Sequence, residues 1–291
     1  MAARYSSVHI VINPASGKNQ PILNTINDVM KHYGVKWDAT ITHKRGDATA
    51  QAREAIARGA DLVAGYGGDG TQHEIANAVI GTGVPMAVLP GGTGNGFCTE
   101  IGVSHDLREA LITIATSAKV RQIDAVRMGS EYFIQRLYTG TEPEQQTSRE
   151  LKDRYGILAY AFSLKEQTSA AVRANYRLTI DRQVFDRQGI KCYVVNSART
   201  GTGITIDRPA RVDDGLLDVF LLDWTSVASV TEALKRLIVS NQEGSGLYSW
   251  RGSEVTIEAT PDRPVWADGE HLGSTPVTAV VIPGALSVIA P

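Results

Sequence analysis

The chain has 291 residues, 43% of them hydrophobic and 21% charged, enough apolar material for one large domain or two medium ones. Twenty-nine Lys and Arg against 31 Asp and Glu give a formal net charge of -2, without the basic excess of a nucleic-acid-binding protein. The only two cysteines, Cys98 and Cys192, lie far apart, so a disulfide framework and a Cys/His zinc site are not expected.

The first part of the chain alternates strand and helix signals. His9 to Ile12 is a β-rich run ended by Asn13-Pro14-Ala15-Ser16-Gly17. A helix follows with Ile22, Ile26 and Met30 on one face, Pro21 near its start and Gly34 just past its end. Val35 to Thr42 reads as a strand, Asp47 to Arg58 as a helix, Asp61 to Ala64 as a strand and Thr71 to Ile80 as a helix. Val84 to Leu89 is a further strand, with a helical stretch after Gly94. This alternation predicts a parallel sheet covered by helices.

From about Val120 the texture changes to strand-like pieces: Arg177 to Ile180, Cys192 to Val195, Leu216 to Leu222, Glu254 to Glu258 and Thr278 to Ile282. Helical patterns near Glu150 to Glu166 and Ser226 to Val239 interrupt them. The expectation is a second, mainly antiparallel β domain. Met1 to Ser7 lacks the apolar stretch of a signal peptide. The apolar run Val277 to Pro291 is broken by Pro283 and Gly284 and is too short for a spanning helix of about 20 residues.

Gly65-Tyr66-Gly67-Gly68-Asp69-Gly70-Thr71 is the most informative segment, read as a loop between strand and helix. Its glycines allow close backbone approach to a ligand, and a helix starting near Thr71 would offer free N–H groups and a positive dipole end to phosphate. The segment satisfies G-x-G-x-x-G, but a dinucleotide site wants a carboxylate at the end of the next strand, where Leu89-Pro90-Gly91 stands. A P-loop is excluded because no glycine loop ends in Gly-Lys-Ser/Thr. Taken alone, a purely structural glycine turn stays open. A second glycine loop, Leu89-Pro90-Gly91-Gly92-Thr93-Gly94-Asn95, follows one βα unit later, and with the Asn13 to Lys18 loop it makes three loops at one sheet edge, a cradle suited to polyphosphate.

These motifs carry a resemblance to the diacylglycerol kinase catalytic family, which includes bacterial diacylglycerol kinases, sphingosine and ceramide kinases. They are Asn13-Pro14-x-Ser16-Gly17, then Gly67-Gly68-Asp69-Gly70-Thr71 with Glu74 and Asn77, then Leu89-Pro90-x-Gly92-Thr93-Gly94-Asn95. Asp213-Asp214-Gly215-Leu216-Leu217-Asp218 and Asp268-Gly269-Glu270 extend it over essentially the whole chain. The resemblance implies an α/β N-terminal domain at 1–125, a parallel sheet with flanking helices shared with NAD kinases, and a β-sandwich lipid-substrate domain at 126–276. Strands at about 277–291 would return to the first domain, and ATP would lie in the cleft between the two.

Carried over position by position, Asn13, Ser16, Gly17, Lys18, Gly67, Gly68, Asp69, Gly70, Thr71, Glu74, Gly92, Thr93, Gly94 and Asn95 would line the nucleotide site, with Asp69 near the phosphates and Mg²⁺. Asp268 would be the base for the acceptor hydroxyl, with Glu270 beside it. On the residues alone, Asp268-Gly269 reads first as an ordinary hairpin turn, and the resemblance favours the catalytic reading. Glu100 and Asp124 match an acidic network near the metal, an ordinary salt bridge remaining open for each. The family usually has Asp after the asparagine of the second glycine loop; here Gly96 stands there, removing one carboxylate of that network. Some bacterial members hold a structural Mg²⁺ at the sequence matching Asp214, with Arg211 and Leu216 carbonyls; a surface turn is the competing reading.

The function implied is ATP-dependent phosphorylation of a lipid alcohol, diacylglycerol first, with a sphingoid base or another lipid alcohol as alternatives. An NAD kinase and a nucleotide-binding homologue without catalysis are the other readings. The expected setting is cytoplasmic and peripheral to the membrane, with ATP and Mg²⁺ as cofactors and a homodimer suggested by bacterial relatives. Arg149, Lys152 and Arg154 read as a solvated basic face or as a contact to anionic lipid headgroups.

Overall fold

The computed structural model describes residues 5–16, 20–92, 94–117, 119–140, 173–197, 211–223 and 247–291. The expected helical stretches at 150–166 and 226–239, the basic cluster at 149–154, and Gly17, Lys18 and Thr93 lie outside the described residues. The chain divides into two compact units, one formed by Met1–Ala125 with Pro283–Pro291, the other by Val126–Ile282.

The first unit is α/β. Its elements are β1 (Val8–Ile12), α1 (Ile22–Tyr33), β2 (Trp37–Ile41), α2 (Asp47–Ala57), β3 (Leu62–Gly67), α3 (Asp69–Val79), β4 (Met86–Pro90), α4 (Gly96–Ile101) and α5 (Leu107–Thr116). The strands run parallel in the order β2-β1-β3-β4. β1, β3 and β4 are buried along their whole length, as expected for a parallel sheet with both faces covered. Ile26, Val29 and Met30 are the buried residues of α1, and Gly34 ends the helix in the left-handed conformation at φ 70°.

Two boundaries at the first glycine segment differ from the sequence reading: α3 starts at Asp69 rather than Thr71, and β3 ends at Gly67 rather than Ala64. β3 continues to Gly67, so Gly65 and Gly67 are strand residues rather than loop residues, paired with Val88 and Pro90 of β4. The reason is packing: a Cβ on Gly65 would stand 2.5 Å from the Cδ1 of Ile75, so glycine lets α3 close onto β3. The turn between β3 and α3 is reduced to Gly68.

In the second unit, β7 (Arg136–Thr139), β10 (Lys191–Val195), β11 (Leu217–Leu222), β12 (Leu247–Gly252), β14 (Pro264–Ala267) and β15 (Glu270–Ser274) form a six-stranded antiparallel sheet in the order β12-β11-β10-β7-β14-β15. A second antiparallel layer contains β8 (Ala174–Ile180), β9 (Gln183–Gly189), β13 (Glu254–Thr260) and the first part of β16 (Val277–Ile289). β5 (Val120–Met128) pairs with β6 (Glu131–Phe133) at Val126 and Phe133. β8 shows the period-two pattern of a half-buried strand: Ala174, Tyr176, Leu178 and Ile180 face a core shared with Cys192, Val194, Val219 and Leu221 of the other sheet. The chain therefore has the expected fold class, a helix-covered parallel sheet and a mainly antiparallel β-sandwich.

Candidate functional site

In the first unit, three strand ends converge. The Asn13 peptide N–H donates to the Tyr66 carbonyl at 2.9 Å, and the Asn13 side chain accepts from the Ala15 N–H at 3.0 Å. Its Nδ2 donates to the Thr71 hydroxyl at 3.1 Å, tying the loop after β1 to the first turn of α3. Ser16 lies in the same turn, its N–H donating to the Asn13 carbonyl at 3.2 Å.

The two glycine segments touch backbone to backbone. The Gly91 N–H donates to the Gly67 carbonyl at 3.2 Å. A Cβ on Gly92 would come within 2.6 Å of the Gly68 Cα, so any other residue there would force the loops apart. Asn95, at φ 48°, closes the second loop by accepting from the Gly92 N–H and donating to the Gly92 carbonyl, both at 2.8 Å. Asparagine is among the few non-glycine residues that adopt this left-handed backbone readily.

Asp69 links the loops. Its carboxylate accepts the N–H groups of Phe97 at 3.1 Å and Gly96 at 3.3 Å, the first N–H groups of α4. Gly96 thus contributes its peptide N–H to Asp69. Burial and the Asp69 charge push the Cys98 thiol up to about 12. Among the described residues, no side chain caps α3: Gly68 precedes it in extended conformation, and the first N–H groups of α3 lie next to the glycine loops.

Glu74 serves a different structure. Both of its oxygens accept backbone N–H groups at the start of α2, from Gly46 and Ala48 at 3.0 Å each. An acidic residue at this position is accounted for by α2. Asp124 is buried and accepts the Gly284 N–H at 2.8 Å, which supplies the partner that its apolar neighbours require. Glu100 lies on α4.

In the second unit, β14 and β15 are joined by Asp268-Gly269, both with positive φ (48° and 91°), and Ala267 pairs with Glu270 across the turn. This is the two-residue hairpin geometry that Asp-Gly favours. The Asp268 side chain does more than turn the chain: its carboxylate accepts the N–H groups of Ile134 at 2.7 Å, Gln135 at 3.0 Å and Arg136 at 2.9 Å. The same stretch is gripped from the end of β10, where the Asn196 Nδ2 donates to the Ile134 carbonyl at 2.9 Å. Composition signalled neither Asn196 nor the 134–136 backbone.

Lys191 is 3% exposed, with its Nζ 4.5 Å from the Tyr138 ring centroid and 5.4 Å from that of Tyr193. Burial first, then nearby Arg136, push its ammonium down to about 7. Trp266 stacks on Tyr138, and Trp250 packs on Phe185 and Tyr248.

The Asp213-Asp214-Gly215 turn carries its own cation. Arg251 forms an ion pair with Asp214 Oδ2, and its Nε donates to Asp218 Oδ1 at 3.1 Å. Asp214 Oδ1 accepts the Leu216 N–H at 3.1 Å, and the Arg211 side chain pairs with Asp213 at 3.1 Å. Burial pushes the Asp218 carboxyl up, with Arg251 opposing that shift and Asp214 adding to it. This arrangement does not fit the structural Mg²⁺ expected of Asp214. Among the described residues, no group of three or more His, Cys, Asp or Glu is assembled to hold a metal ion.

The comparisons with known proteins bear on both units. Residues 7–128 match the diacylglycerol kinase catalytic domain, and residues 137–290 match the YegS C-terminal NAD kinase beta sandwich-like domain. The chain belongs to the diacylglycerol kinase catalytic-domain family. Within this lipid kinase family it is 28% identical to "Probable lipid kinase YegS-like" of Alcanivorax borkumensis over 97% of this chain and 96% of that one. It is 27% identical to "Diacylglycerol kinase" of Staphylococcus carnosus over 97% and 94%. The fold matches the crystal structure of a diacylglycerol kinase from Bacillus anthracis with a TM-score of 0.77 and 22% identity, covering 99% of this chain and 98% of that one. Among the described residues, no helix of this lipid kinase family member is long and apolar enough to cross a membrane.

Proposed function

We propose that the chain transfers the γ-phosphoryl group of ATP to a hydroxyl of a membrane lipid, diacylglycerol being the first acceptor and a sphingoid base or another lipid alcohol the alternatives. The observation that carries this reading is the pair of glycine segments in backbone contact, with the Asp69 carboxylate fixed beside them. Close backbone and an uncapped α3 N-terminus suit polyphosphate. Asn13 and Thr71 hold the third loop against them.

In this reading the acceptor oxygen attacks the γ-phosphorus as the bond to the ADP oxygen breaks, and the acceptor proton passes to Asp268. Phosphoryl transfer is mainly positioning and charge stabilisation, so the protein's work lies in the fixed loops. Asp69 offers hard carboxylate oxygens that fit Mg²⁺ at the loops, with Glu100 and Asp124 as the further carboxylates assigned by resemblance; Mg²⁺ there would neutralise phosphate charge. A lipid acceptor requires action at a membrane surface, and we place the protein in the cytoplasm, where ATP is available.

The test is incubation of the protein with γ-labelled ATP and Mg²⁺ against diacylglycerol, sphingosine, ceramide and other lipid alcohols in mixed micelles, plus NAD. Label on a lipid supports the reading and names the acceptor. Label on NAD alone overturns it. ATP binding with no labelled product supports the non-catalytic alternative, and Gly96→Asp then tests whether the missing carboxylate restores transfer.

A further inference from the structure

We infer that the Arg251 guanidinium takes the place of a divalent cation at the Asp213-Asp214-Gly215 turn, so that the turn is held without metal and loss of Arg251 creates a divalent-cation site. The sheet register sets this up. Asp218 on β11 lies directly opposite Arg251 on β12, and Asp214 comes just before β11 in sequence. The guanidinium is a planar fork that can serve two carboxylates at once, and here its Nε serves Asp218 while its Nη2 serves Asp214.

The side chains of Arg251, Asp214 and Asp218 are 31%, 19% and 16% exposed. At that depth two neighbouring carboxylates need a cation more than a surface pair does. Among the described residues, Asp218 Oδ2 is buried without a hydrogen-bond partner, and Arg251 supplies the cation beside Asp218 Oδ1. A divalent ion approaching Asp214 would meet the guanidinium on the same oxygen. The sequence supplies this cation from Arg251, more than 30 residues beyond the turn, which is why the turn motif alone suggests a metal.

The test uses nucleotide-free protein, so that metal bound with ATP does not contribute. Thermal unfolding is measured in Mg²⁺ and in EDTA, and Mn²⁺ binding is followed by electron paramagnetic resonance. Wild type should melt at the same temperature in both solutions, and Asp214→Asn should leave its Mn²⁺ binding unchanged. Arg251→Gln should melt lower, regain part of the loss in Mg²⁺, and bind Mn²⁺ about tenfold more tightly than wild type. Adding Asp214→Asn to that variant should abolish the gain. Wild-type stabilisation by Mg²⁺, or wild-type Mn²⁺ binding that Asp214→Asn removes, overturns the inference. So does a folded Arg251→Gln with no added Mn²⁺ affinity. The wild-type melting experiment decides even if a variant does not fold.

Discussion

The Asp69 carboxylate accepts the peptide N–H of Phe97 at 3.1 Å, so the residue that opens α3 also caps α4 across the second glycine loop. Position and charge can therefore be separated by substitution. Asp69→Asn keeps one acceptor oxygen and should fold, whereas Asp69→Ala loses the cap at about 1 kcal/mol. Both should lose phosphoryl transfer by about 100-fold or more, since the carboxylate proposed to hold Mg²⁺ at the phosphates is gone. Urea unfolding and single-turnover transfer measured on the same preparations check this. An Asp69→Asn protein with wild-type turnover would remove Asp69 from the chemistry.

Close contact between the glycine segments makes neighbouring glycines unequal. A Cβ at position 92 would sit 2.6 Å from the Gly68 Cα, whereas at position 94 the nearest atom is Asp69 Oδ2 at 3.9 Å. Gly92→Ala should cost about 1–3 kcal/mol through overpacking and abolish ATP binding. Gly94→Ala should retain the fold. Urea unfolding distinguishes the two, and equal destabilisation in both would contradict the backbone-contact account.

Asp268 accepts three peptide N–H groups, so its substitutions carry a structural cost as well as a chemical one. Asp268→Ala leaves those buried donors without their acceptor, at about 1–3 kcal/mol, and strains a backbone at φ 48°. Asp268→Asn tolerates that φ and keeps one oxygen. It should retain ATP binding while turnover falls by about 10²–10⁴, the range expected for loss of a general base. Turnover at the wild-type level in Asp268→Asn would assign Asp268 to architecture alone.

Lys191 should give the protein a pH-dependent stability. Its buried ammonium titrates at about 7 in the folded chain, against an ordinary value of 10.5. Between these values the unfolded chain binds the extra proton, so stability rises with pH across that window and the burial penalty is full below it. Lys191→Met should stabilise the protein by about 1 kcal/mol or more near pH 6, with the advantage shrinking toward pH 10. Urea midpoints across that range check the sign; an advantage that grows with pH would contradict it.

Much of the first unit was legible because its signals are local. Apolar spacing gave α1, and the glycine loop after an apolar run gave the end of β4 to within one residue. The β3 boundary was missed because Gly65 and Gly67 read as loop residues, and their place in the strand depends on α3 packing. The α5 helix carried a readable signal that the sequence reading left unused: Asp106 three residues before Glu109, whose N–H it caps at 3.0 Å. β9 and β15 are largely polar and exposed, so period two has little apolar contrast to reveal them. Arg251 was invisible at the Asp214 turn because β pairing, not sequence distance, brings it there.

The most direct measurement of the central claim is transfer of label from γ-labelled ATP to diacylglycerol in mixed micelles, by wild type and Asp69→Asn at matched folded concentration. The account predicts labelled phosphatidic acid, or another labelled lipid across the acceptor panel, with wild type and near background with Asp69→Asn. Equal labelling by both proteins, or label appearing only on NAD, would contradict it.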